Sequence, residues 1–103
     1  MRKLTIKRKW SIIESGSRIY LYVQCAKDDA TCKNGENYYK QFDFKNGKSV
    51  DVDIWNEETQ VLVVSSTMQA EYTVPAGEND INLIASPKYS PFNGNPFTIA
   101  EVK

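Results

Sequence analysis

Apolar and polar residues alternate with a period of two through most of this chain, in runs too short for helices. Residues 48–55 carry the pattern most plainly, with Val50, Val52 and Ile54 interleaved with Asp51, Asp53 and Trp55. Successive side chains of a strand point to opposite faces, so such a run builds one buried face and one wet face. No window of about eleven residues or more carries the 3.6-residue period of an amphipathic helix. The chain therefore reads as all-β.

The same alternation places the other strands. In residues 4–10, Leu4, Ile6, Arg8 and Trp10 share one face, and Thr5, Lys7 and Lys9 share the other. In residues 18–25, Ile19, Leu21, Val23 and Cys25 oppose Arg18, Tyr20, Tyr22 and Gln24. A strand over residues 38–44 leads to Asn46-Gly47, the strongest short hairpin signal in the sequence, and is predicted to pair with residues 48–55. Residues 59–65 hold the continuous run Val61, Leu62, Val63 and Val64, which predicts a central strand covered on both faces. Residues 70–74 end at Pro75-Ala76-Gly77, a tight-turn composition. Strands over residues 80–85 and 97–102 follow, separated by residues 87–96, whose three prolines and Asn93-Gly94 predict a surface loop. Phe42, Phe44, Tyr72 and Phe97 fall at core positions. One domain over residues 1–103 is expected, since 103 residues supply one core and no linker interrupts them. The predicted fold is an antiparallel immunoglobulin-like β-sandwich of seven or eight short strands, with a small barrel as the alternative.

Charge narrows the function classes. Thirteen Lys and Arg balance thirteen Asp and Glu, which argues against a dedicated nucleic-acid or membrane-surface binder. Arg2, Lys3, Lys7, Arg8 and Lys9 all precede the first acid, Glu14, and read as an edge strand guarded by lysines against aggregation. No apolar run follows them, so neither a signal-peptide core nor a membrane span is expected. A cytoplasmic location follows, or a secreted or cell-surface one if the domain is excised from a longer chain. Cys25 and Cys32 are spaced so that a disulfide could close the loop between them, and free thiols are the preferred reading. With no histidine and two cysteines, a structural zinc site is excluded, and no metal or cofactor is expected.

Catalytic signatures are equally thin. The absence of histidine removes Ser-His-Asp and Cys-His chemistry. Asp51 and Asp53 share a strand face, but a solvated face explains them better than an acid/base pair. The acidic loop from Asp28 to Glu36 puts Lys33 and Asn34 where a calcium loop needs a ligand and a glycine, so that pattern fails. The chain is therefore read as non-enzymatic.

Twelve aromatic residues remain, more than a core of this size needs. Tyr20, Tyr22 and Trp55 fall opposite the core aliphatics, where they could pack on a protein partner or stack on a sugar ring. Tyr89 and Phe92 occupy the proline-rich loop and could project as a binding tip. The leading expectation is a non-catalytic interaction or self-association module using these five residues, and the alternative is a carbohydrate-binding module. Nucleic acid is disfavoured, because Arg18 alone shares a face with Tyr20 and Tyr22, and Trp55 shares its face with two aspartates.

The stretch Tyr20-Leu21-Tyr22-Val23, then Phe42-Asp43-Phe44-Lys45-Asn46-Gly47-Lys48-Ser49-Val50, then Val61 to Val64, resembles small bacterial sandwich domains of the PEGA-like and carboxypeptidase-regulatory-like kind. That resemblance implies a sandwich fold and a non-enzymatic module within a larger bacterial protein of uncharacterised function. It carries no ligand or catalytic motif onto this chain.

Overall fold

The computed structural model describes residues 1–11, 18–25, 39–65, 69–87 and 97–102. Among them are eight strands and no helix: β1 (Arg2–Arg8), β2 (Tyr20–Gln24), β3 (Tyr39–Asp43), β4 (Ser49–Ile54), β5 (Thr59–Val64), β6 (Gln69–Val74), β7 (Ile81–Pro87) and β8 (Phe97–Glu101). They form two open four-stranded sheets. Sheet I has the order β4-β1-β7-β8 and sheet II the order β3-β2-β5-β6. All pairings are antiparallel except β1 with β7, which run parallel. The β-sandwich is thus the architecture, and each sheet keeps two edges.

Alternation decides what each sheet buries. Sheet I turns Leu4, Ile6, Ile54, Leu83, Ala85 and Phe97 inward, and sheet II turns Leu21, Val23, Val61, Val63 and Val74 inward. Phe44 and Ile19 close one end of this core, while Phe42 and Tyr72 pack against it half-buried. Burying an aliphatic side chain of this size contributes about 1.5–3 kcal/mol. These inward rows therefore hold the two layers together.

Three expectations change. The basic strand is not an edge, because β1 lies between β4 and β7. Lys3 and Lys7 lie on its solvent face, which a central strand with one wet side also provides. Trp10 lies beyond the end of β1 with 69 % of its surface exposed, and its side chain covers the turn at Gly47 instead of entering the core. The Asn46-Gly47 turn does form, with Gly47 at φ 75° and Lys48 donating its N–H to the Lys45 carbonyl at 3.0 Å. It does not close a hairpin. β3 pairs with β2 and β4 pairs with β1, so the turn carries the chain from sheet II to sheet I. The run Val61 to Val64 does form a central strand, β5, between β2 and β6.

Arg2 and Arg8 occupy the two ends of the inward row of β1, 4 % and 2 % exposed. Arg2 donates to the carbonyls of Trp55, Glu57 and Pro75. Arg8 donates to the Phe44 carbonyl at 2.7 Å, and its guanidinium lies 5.7 Å from the centre of the Phe97 ring. The Arg2 fork thus bonds three turn carbonyls, and the Arg8 fork bonds the carbonyl just beyond β3. Two buried cations thereby tie the connecting turns to the ends of a central strand.

Candidate functional site

The outer face of sheet II carries a group of half-buried aromatic and aliphatic side chains on neighbouring strands. Pairing sets Tyr20 between Asp43 and Val64, and Tyr22 between Gln41 and Leu62. Gln24 lies opposite Tyr39. Tyr20, Tyr22, Tyr39, Leu62 and Val64 are all half-buried. Their chemistry follows from parity, since Leu21 and Val23 turn into the core and the alternate residues must turn out. Polar bonds frame the patch: Gln24 Oε1 accepts from the Gln60 backbone N–H at 3.0 Å, and Thr73 Oγ1 donates to Gln60 Oε1 at 2.8 Å. Tyr39 and Leu62 had no place in the sequence reading of this face. Leu62 and Val64 belong to the run that predicts cover on both faces, and instead they lie on this outer face; Tyr39 joins it through the β2 to β3 register.

Trp55 is elsewhere. It follows β4 in sheet I and is 44 % exposed, on a different sheet from Tyr20 and Tyr22. The three rings therefore do not share one platform. Trp55 lines a cleft of ≈ 360 Å³ between the β3 edge of sheet II and the β4 edge of sheet I. Val23, Phe42, Val52 and Ile54 form its apolar walls, with Lys40 and Asp53 at the polar margin. Tyr89 and Phe92 lie outside the described residues.

A second cleft, ≈ 390 Å³, opens at the Arg8 end, lined among others by Arg18, Tyr20, Asp43 and Lys45.

Asp51 and Asp53 both face solvent on the outer side of sheet I. Asp51 accepts from Thr5 Oγ1 at 2.8 Å and lies 3.7 Å from Lys3 Nζ. Such exposed pairs contribute about 1 kcal/mol or less. Cys25 is disulfide-bonded, which overturns the reading of free thiols. The chain's other cysteine, Cys32, and the acidic loop around it lie outside the described residues. Among the described residues, no helix is long and apolar enough to cross a membrane, and no three potential metal ligands converge.

Compared with protein-family models and with curated proteins, the chain finds no match.

Proposed function

We propose that this domain is a non-catalytic binding module whose outer sheet II face engages a protein surface, either a partner's or that of a second copy. The observation that carries this reading is the collection of Tyr20, Tyr22, Tyr39, Leu62 and Val64 on neighbouring strands of one face. Tyrosines suit such a contact because each offers a large apolar ring, few rotatable bonds and one hydroxyl for a hydrogen bond. The absence of histidine anywhere in the chain supports a binding role over acid/base chemistry. The disulfide at Cys25 supports placing the domain in an oxidising compartment, outside the cytoplasm.

Sedimentation at increasing concentration and pull-down with the tagged domain test the reading together. Either a rising mass or a captured partner is expected, and Tyr22→Arg abolishes it while leaving the unfolding midpoint close to wild type. A monomer that captures nothing removes the proposal. Of the three rings the carbohydrate alternative relies on, Tyr20 and Tyr22 share a face, and Trp55, which follows β4 of the other sheet, does not.

A further inference from the structure

The edges of the two sheets are not equally protected. On β3 the inward row includes Lys40, and on β8 it includes Glu101, so each carries a charge toward the interior side, a device that discourages further strand pairing. β6 and β8 pack against each other across the sandwich. β4 has none of these defences. Its inward row is Val50, Val52 and Ile54, it pairs residue for residue with β1 without a bulge, and it contains no proline. Among the described residues it is paired on one side only.

The direction of its free backbone groups can be derived. Arg8 donates its N–H to the Lys48 carbonyl at 2.9 Å, one step beyond the last β1 to β4 register pair. In an antiparallel ladder, hydrogen-bonded and non-bonded pairs alternate, so Val50, Val52 and Ile54 bond to β1. The N–H and C=O groups of Ser49, Asp51 and Asp53 then point away from β1, along the open edge. Beside that edge lies the ≈ 360 Å³ cleft with Val52, Ile54, Phe42 and Val23 in its walls.

We infer that β4 is a docking edge for an extended segment of a partner protein in which apolar residues alternate with lysine or arginine. Added as a fifth strand of sheet I, the segment makes backbone bonds to Ser49, Asp51 and Asp53. Its apolar residues enter the cleft, and its cationic residues lie beside the Asp51 and Asp53 carboxylates. Charge selects this occupant. Asp53 has no hydrogen bond or ion pair among the described residues, since Lys3 bridges to Asp51 instead. A symmetric pair with the β4 of a second copy would set aspartates beside aspartates on one face, which is destabilising. β1 already fills the other side of β4 with the same chemistry: Leu4 and Ile6 point inward, while Lys3 and Thr5 oppose Asp53 and Asp51. This surface is separate from the sheet II face and stands or falls independently of it.

Titration of the isotope-labelled full chain with a capped peptide alternating lysine with valine, followed by amide NMR, tests the inference. The Ser49, Asp51 and Asp53 amides are expected to shift and to gain protection from solvent exchange. Asp53→Lys, checked for an unchanged fold by its spectrum, should weaken binding at least ten-fold, and a peptide alternating glutamate with valine should not bind. Absence of binding by the lysine peptide overturns the inference. So does equal binding of the glutamate peptide, or shifts confined to Tyr20, Tyr22 and Leu62.

Discussion

Arg2 donates through Nη2 to the Pro75 carbonyl at 2.6 Å, joining β1 to a turn 73 positions away in sequence. The same guanidinium reaches the carbonyls of Trp55 and Glu57 at 3.2 Å each, and Gly77 N–H bonds the Asn56 carbonyl beside them at 2.9 Å. One side chain thus holds the β4–β5 and β6–β7 connections against the end of the core.

Arg2→Met is expected to destabilise the domain by about 2–4 kcal/mol, because it removes the bonds of a charged donor to three carbonyls. Arg2→Lys keeps the charge but has no planar fork to span three acceptors, so it should recover less than half of the loss. Urea unfolding of the three proteins checks this. Equal stability of wild type and Arg2→Met would remove the clasp from the account.

Gly47 occupies the left-handed region at φ 75°, and a Cβ there would lie 3.3 Å from Trp10 Cδ1. Gly47→Ala therefore meets two penalties: a backbone cost of about 1–2 kcal/mol and a steric one against the indole. In a Trp10→Ala background only the first should remain. A double-mutant cycle by thermal unfolding separates the two, and perfect additivity would show that the indole does not constrain the turn.

The faces of individual strands were legible because alternation is local. Alternation puts Leu4, Ile6 and Arg8 on one face, and that face is the buried one, although Trp10 beyond the strand leaves it; Phe44 and Phe97 fall at core positions and are buried there. Partnership was not legible, since it depends on residues far apart in sequence. Asn46-Gly47 is a sound turn signal that says nothing about whether its flanking runs pair together or join different sheets. The lysines of β1 read as edge protection because a central strand with one wet face has the same composition. Parity likewise placed Tyr22 and Trp55 outward, but it cannot state from which sheet. The sequence shows Arg2 only as part of a basic run, because the partners of its clasp are backbone carbonyls, which leave no mark in a sequence.

The disulfide at Cys25 predicts an unreduced monomer about two mass units lighter than the reduced one, since the chain holds two cysteines. Thiol-specific labelling of the native, unreduced protein should find no reactive group. Reduction is expected to lower stability by about 2–3 kcal/mol, the chain-entropy value for so short a loop. Two titratable thiols in protein purified without reductant would contradict the bond.

Asn46 is bonded in both directions to Ser11: its Oδ1 accepts from the Ser11 N–H at 3.0 Å and its Nδ2 donates to the Ser11 carbonyl at 2.8 Å. The amide acts as one rung of a ladder, fastening the connection between the sheets to the segment beyond β1. Asn46→Asp keeps the acceptor but turns a carboxylate oxygen toward the Ser11 carbonyl. That contact should raise the folded-state pKa of the introduced carboxyl above its unfolded value of about 4, because only the protonated form can donate. A raised folded pKa means stability that is present below the unfolded pKa and lost as pH rises through the folded one. The variant should therefore be roughly 1–2 kcal/mol less stable than wild type at neutral pH, with the gap narrowing as pH falls through the raised folded pKa and levelling off below the unfolded value of about 4. Asn46→Ala, which lacks any titrating group, should show a gap that does not change with pH. Parallel pH profiles for the two variants would refute the paired-bond geometry.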